Sequence, residues 1–301
     1  MAILINKDTK VLIQGITGKE GGKAAREMTK YGTLVYAGVS PGKGGEKTPE
    51  GIPVFNSVKE ALQKFPEINA SLIVVPPAFA ASAVIESIEN SIPLVDILTE
   101  KIPVFDVAKF IALARKRGVK IVGPSSVGIL VPGVIKIGSI GSSLIATKIF
   151  EPGSIGVVSK SGGMTAEISR ILTEAGLGQS TVVGIGGDQL IGSDFSDILL
   201  EFEKDEETKA VVIFGEVGGT YEEQLAEKIK NGQIKKPVVC LIAGRFAETL
   251  PEDSVLGHAG AIINKGRGSA ESKIKALKNA GALIAENPEE IPELINSKVK
   301  I

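Results

Sequence analysis

Short apolar runs that end in glycine-rich turns and lead into helical stretches recur along the whole chain. That alternation restricts it to α/β folds. Val11-Leu12-Ile13-Gln14 ends in Gly15-Ile16-Thr17-Gly18-Lys19-Glu20-Gly21-Gly22, and a helical stretch follows from about Lys23 to Tyr31. The device returns at Ile155-Gly156-Val157-Val158-Ser159, with the turn Lys160-Ser161-Gly162-Gly163 and a helix from Met164 to about Ala175. A strand, a glycine turn and a helix start present free backbone N–H groups and a positive dipole end to an anion. The first glycines are spaced G-x-x-G-x-x-G, so the dinucleotide fingerprint G-x-G-x-x-G is not matched. A tight turn that holds no ligand accounts for the same stretch equally well.

Further apolar runs over 34–39, 71–75, 94–98 and 120–122 alternate with helical patterns over 78–90 and 106–117. Ser57-Val58-Lys59-Glu60 is a capping box that starts another helix. From Val131 to Gly153 the pattern loosens around Pro132, Gly133, Gly138, Gly141 and Pro152. It then resumes with strands at 155–159, 181–184, 210–214, 237–243 and 282–285 and helices at 164–175, 196–203 and 269–280. The expected organisation is one unit over 1–130, a connection over 131–153 and a second unit over 154–301, each a parallel, doubly wound sheet. A length of 301 residues suits two domains, and 43% hydrophobic residues lets each bury a core. In such sheets ligands bind beyond the carboxyl ends of the strands. Lys43, in Pro41-Gly42-Lys43-Gly44-Gly45, and Thr99-Glu100 follow strands in the first unit. Glu216, in Gly215-Glu216-Val217-Gly218-Gly219, follows one in the second.

The chain has one histidine, His258, in Gly257-His258-Ala259-Gly260-Ala261-Ile262. Glycines on both sides let backbone or a phosphate approach the ring. An imidazole is a nucleophile able to carry a phosphoryl group once a partner fixes its tautomer, and Glu216 is a carboxylate able to do that. A lone histidine is also an ordinary loop residue, and Glu216 an ordinary exposed glutamate, so the assignment rests on their company. The one cysteine, Cys240, lies in the run Val238–Ile242 and reads as a buried strand thiol. With one cysteine no internal disulfide framework exists, which indicates a reducing compartment. Thirty-four basic against 35 acidic residues argue against a nucleic-acid partner held by bulk charge. The N-terminus lacks a signal-peptide pattern and no apolar run reaches membrane-spanning length, so a cytoplasmic protein is expected. There is no metal-ligand cluster, no G-x-S-x-G elbow and no phosphate loop of the G-x-x-x-x-G-K-[ST] type.

Five ordered motifs carry a resemblance: Gly15-Ile16-Thr17-Gly18, Pro41-Gly42-Lys43-Gly44-Gly45, Gly184-Ile185-Gly186-Gly187-Asp188, Gly215-Glu216-Val217-Gly218-Gly219 and Gly257–Ile262. Over about residues 3 to 285 the chain resembles the nucleoside-diphosphate-forming acyl-CoA synthetases, in particular the α subunit of succinyl-CoA synthetase. The resemblance implies a Rossmann-like coenzyme A-binding domain followed by a flavodoxin-like doubly wound domain. It implies that His258 is phosphorylated, that Glu216 orients its ring and that Ser161, Gly162 and Gly163 face the phosphate. Thr17, Gly18, Lys19, Glu20, Lys43, Leu98, Thr99 and Glu100 would hold coenzyme A. A β subunit with an ATP-grasp domain would supply most of the Mg-ATP or Mg-GTP site, in an αβ or α2β2 assembly. The implied reaction is reversible formation of succinyl-CoA from succinate, CoA and a nucleoside triphosphate, a step of the tricarboxylic acid cycle. Two departures touch the acid substrate. Ser125-Ser126-Val127 stands where the family has asparagine, cysteine and proline, and Ala166 stands where it has a tyrosine. A ligase for another acid such as malate, citrate or acetate is one alternative, and a non-catalytic CoA-binding protein is another. A binder would need neither His258 nor Glu216.

Overall fold

A computed structural model describes residues 2–141, 148–246, 258–261 and 268–299. It contains two sheets, the first within residues 10–122 and the second within 128–285. The first is wholly parallel, with strands β1 (Lys10–Gln14), β2 (Leu34–Val39), β3 (Val54–Phe55), β4 (Ala70–Ile73), β5 (Leu94–Ile97) and β6 (Lys120–Val122) in the order β3-β2-β1-β4-β5-β6. The chain winds outward from β1 to β3, then returns to place β4 on the other side of β1. The switch point between β1 and β4 leaves a crevice at their carboxyl ends.

The second sheet holds β7 (Gly128–Val131), β8 (Ile135–Gly138), β9 (Pro152–Ser159), β10 (Gln179–Gly184), β11 (Ala210–Glu216), β12 (Val238–Ala243) and β13 (Leu283–Ala285), ordered β13-β12-β11-β9-β10-β7-β8. Five of these strands are parallel, and their switch point lies between β9 and β11. The hairpin of β7 and β8 pairs antiparallel along β10. The apolar strands β4, β5, β10 and β12 are buried over nearly their full length, as both-sided helical cover demands.

The helices are α1 (Lys19–Tyr31), α2 (Val58–Lys64), α3 (Pro77–Glu89), α4 (Val104–Arg117), α5 (Gly162–Glu174), α6 (Phe195–Lys204), α7 (Tyr221–Lys230), α8 (Ala270–Asn279) and α9 (Ile291–Asn296). Helix α1 starts at Lys19, earlier than its glycines suggest. Its buried Gly21 explains why, since a Cβ there would stand 2.1 Å from the Gly15 carbonyl oxygen. The helix is set down directly on the turn, and Lys19 and Glu20 are its first residues. The cap of α2 also differs in detail. Ser57 accepts the Glu60 N–H, but Glu60 accepts the N–H of Asn56 at 3.0 Å, one residue before the expected partner. On α5, Ala175 is exposed while Ile168, Ile171 and Leu172 face the core, and Ala166 is half-buried against the same apolar cluster.

The two sheets meet through their carboxyl edges. Beyond β6, the Ser126 hydroxyl donates to the Gly184 carbonyl at 2.8 Å and accepts the Gly128 N–H at 2.8 Å. Ser193 donates to the Ile121 carbonyl at 2.6 Å, and the Gly192 N–H to Gly123 at 2.8 Å. Gly186 has φ +87°, and a Cβ there would fall 2.0 Å from the Pro124 carbonyl oxygen. One apolar core cluster runs through both halves, from Val11 and Leu72 to Val158 and Ile213. Cys240 lies in it, its thiol pushed upward by burial.

Candidate active site

Glu216 is the last residue of β11, and its strand pairs with β9, which ends at Ser159. The two strands flank the switch point, so their ends deliver Glu216 and Lys160 side by side. His258 is brought to this place from a distant loop. Its Nδ1 lies 2.9 and 2.7 Å from the two carboxylate oxygens of Glu216. With the Nδ1–H donated there, the lone pair belongs to Nε2. The hydrogen bond to Glu216 holds the imidazole pKa above its ordinary value, opposed by burial and by the charge of Lys160. The His258 carbonyl accepts the Ala261 N–H at 3.1 Å, and the Gly260 N–H reaches Gly187 at 2.9 Å. Gly187 has to be glycine, because a Cβ would stand 2.6 Å from Cγ of the ring. Gly257 and Ile262, the outer residues of the histidine motif, lie outside the described residues.

His258 opens on a cleft of about 300 Å³ lined by Glu100, Ser125, Lys160, Gly162 and Asp188, among others. Ser161 caps α5, accepting the Met164 N–H at 3.4 Å. Gly162 lines the cleft, and Gly163 is exposed one residue along. A Cβ on Gly162 would stand 2.4 Å from Cγ1 of Val127, so close packing as well as backbone access calls for glycine here. Asp188 accepts a hydrogen bond from the Ser125 hydroxyl at 2.6 Å. Burial raises the Asp188 carboxyl pKa against that bond, and Glu100 raises it further.

A second cleft, of about 570 Å³, follows the start of α1 and the end of β5, with Gly18, Lys19, Glu20, Leu98, Thr99 and Glu100 in its wall. Thr99 is pinned by a 2.7 Å hydrogen bond to the Val75 carbonyl. Glu100, Ser125 and Val127 line both clefts, so the two adjoin. A third, of about 540 Å³, continues on the far side through Thr17, Gly18, Lys19, Lys23, Arg26 and Lys47. Thr17 Oγ1 lies 2.9 Å from the Ser40 hydroxyl. Helix α1 has no side chain capping its first N–H groups. Unfilled donors at a helix start among several cations suit a polyphosphate. Lys43 is on an exposed loop, with its ammonium 3.3 Å from Glu46, which lines this third cleft.

Sequence reasoning missed Lys160 and the pair Glu222 and Lys273 behind Glu216, and it marked Ser125 only as a departure from the family pattern. Lys160 has a signal, since it sits between the apolar strand and the glycine turn. Glu222 and Lys273 have none, because they look like solvated helix charges until the fold buries them.

Residues 6–101 match the CoA binding domain family and residues 158–283 the CoA-ligase family. The chain is 48% identical to the succinate–CoA ligase [ADP-forming] subunit alpha of Aquifex aeolicus, over 100% of this chain and 96% of that protein. It is 46% identical to the corresponding subunit of Methanothermobacter thermautotrophicus, over 99% and 98%. Among solved structures, the ATP citrate lyase of Methanosaeta concilii in complex with (3S)-citryl-CoA superposes with a TM-score of 0.90 at 27% identity. That match covers 98% of this chain but 50% of the lyase. Two matched domains in the right order, with nearly half the residues identical from end to end, leave one reading: the chain belongs to the family of succinate–CoA ligase α subunits.

Proposed function

We propose that this chain is the α subunit of an ADP-forming succinate–CoA ligase in which His258 relays the phosphoryl group. The observation that carries the reading is the His258–Glu216 pair. In the neutral ring it leaves the Nε2 lone pair free, beside a cleft that adjoins the one along α1. The Nε2 lone pair forms the N–P bond while the P–O bond to the departing nucleoside diphosphate breaks, and that oxygen keeps the electron pair. The ring gains positive charge, which the Glu216 carboxylate offsets. A succinate carboxylate oxygen then takes the phosphoryl group, the N–P bond breaks, and its electrons return to Nε2. Coenzyme A supplies a thiol nucleophile for the activated acyl group.

The residues present fit coenzyme A. Lys19, Lys23 and Lys47, with the uncapped start of α1, form a phosphate-binding wall, and Leu98, Thr99 and Glu100 line the way toward His258. Lys43 acts as a long-range charge for this site. A β subunit with an ATP-grasp domain contributes the nucleotide site, in an αβ or α2β2 assembly, and the enzyme works in the cytoplasm. Among the described residues, no helix is long and apolar enough to cross a membrane.

The test is labelling. The chain, incubated with its β subunit and γ-labelled ATP, is expected to take up acid-labile, base-stable label. His258→Asn is expected to abolish it, and label persisting in that variant would overturn the assignment.

A further inference from the structure

Behind the His258–Glu216 pair lies a buried ionic cluster to which the relay so far assigns no task. The Glu222 carboxylate, from α7, is 2.9 Å from Lys160 Nζ and also bonds Lys273 Nζ, from α8. The three side chains are 6%, 0% and 0% exposed for Lys160, Glu222 and Lys273. Two ammonium groups share one carboxylate, so the cluster carries a surplus positive charge in a place where an uncompensated ion costs several kcal/mol. Lys273 has acceptors for all three of its protons: Glu222, the Glu216 carbonyl at 2.7 Å and the Gly218 carbonyl at 2.6 Å. It ties down the backbone that presents Glu216. Lys160 has Glu222 and two aromatic faces, with Nζ 5.6 Å from the Tyr221 ring centre and 5.7 Å from that of Phe195. Of the three, only Lys160 also lines the His258 cleft. Lys160 is therefore the member of the cluster that borders the cleft, and its charge is felt by the imidazole.

We propose that Lys160 is the built-in counter-charge of the phosphohistidine, a positioning residue that stabilises the phosphoryl group on Nε2. The proposal rests on His258 being the phosphorylated residue. Phosphoryl transfer brings two negative charges into a cleft already holding Glu100 and Asp188, and Lys160 offsets them at low dielectric. Lys101 lines the same cleft but is exposed, so water screens it. Among the described residues, the charged groups that line the cleft or act on the imidazole are Glu216 from β11, Asp188 from the loop after β10, Glu100 and Lys101 from the loop after β5, and Lys160 just past β9. Glu216 and Asp188 favour the imidazolium, which cannot attack, and Lys160 opposes them.

The experiment uses the full chain with its β subunit. Lys160→Met leaves Glu222 and Lys273 as a balanced pair, so no buried anion is orphaned. Initial labelling by γ-labelled ATP is expected to fall about 100-fold, with the acidic limb of its pH profile moved to higher pH. The single imidazole NMR signal of the unphosphorylated chain is expected to titrate at higher pH than in the original. Lys160→Arg is expected to restore most of the rate. Lys273→Met removes the same charge but faces away from the cleft, so it is expected to lower the melting temperature more and move the imidazole titration less. If Lys160→Met does not fold, Lys160→Gln is judged by the same readings. An unchanged labelling rate with an unchanged imidazole titration would overturn the proposal. An original chain that takes no label on His258 would instead overturn the relay itself.

Discussion

Asp96 sits in the middle of β5, 1% exposed, and neither of its carboxylate oxygens has a hydrogen-bond partner. Burial pushes its pKa up to about 7. An unfolded aspartate titrates near 3.8, so between these values the folded chain holds a proton that the unfolded chain has lost. Stability from this residue therefore falls as pH rises through that window and stays low above it. Asp96→Asn is expected to stabilise by on the order of 4 kcal/mol at pH 8.5 and by little at pH 4. Melting temperatures of both proteins at the two pH values check this, and a pH-independent difference would mean that Asp96 has an ordinary pKa. His258 shows the opposite use of burial. Its partner Glu216 is supplied, and in the proposed relay the charge the ring gains is met where it forms.

Among the elements, the loop after β10 decides how well the imidazole is held. Gly187 lets the ring lie against the backbone, and Asp188 beside it is tied to Ser125. In Gly187→Ala the new methyl group would meet Cγ and Nδ1 of the ring at 2.6 and 2.7 Å, pushing it off Glu216. A displacement of about 1 Å costs on the order of 100-fold in a positioned reaction. Labelling of His258 is expected to fall by about that factor, while CoA affinity measured by calorimetry stays within about twofold, since α1 is untouched. Unimpaired labelling would show that the loop can yield. The glycines of Gly184-Ile185-Gly186-Gly187 were legible as a turn. That two of them serve contacts with Pro124 and His258 was not, because a glycine's neighbours in space are absent from its sequence.

At the scale of the whole molecule, the clefts along α1 belong to one sheet and the histidine to the other, and the seam between the sheets joins them. Ser126 is a fastener in that seam, satisfying the Gly184 carbonyl and the Gly128 N–H from the loop beyond β6. Ser126→Ala leaves both buried groups short of a partner, at a cost of about 2–4 kcal/mol. The denaturation midpoint is expected to move down accordingly, with CoA binding and His258 labelling weakened together. Loss of one function alone would show that the sheets hold their relation without this residue.

The sequence by itself determined the alternation of strands and helices, the two glycine turns that open α1 and α5, and the candidate pair His258 and Glu216. These are local patterns or chemically unusual residues, and the family resemblance ordered them. Element ends were less legible. Lys19 to Gly22 read as turn because glycine is a poor helix former, yet packing on Gly15 makes Gly21 necessary within the helix. Residues 128–138, which straddle the start of the loosened stretch, form a hairpin on the second sheet. Only the tertiary structure decided that Glu100, Ser125 and Val127 join the two clefts, and that Lys160, Glu222 and Lys273 share one buried cluster. Those relations are distances between residues far apart in the chain. They depend on which strand ends the two switch points place together, and no local pattern encodes that.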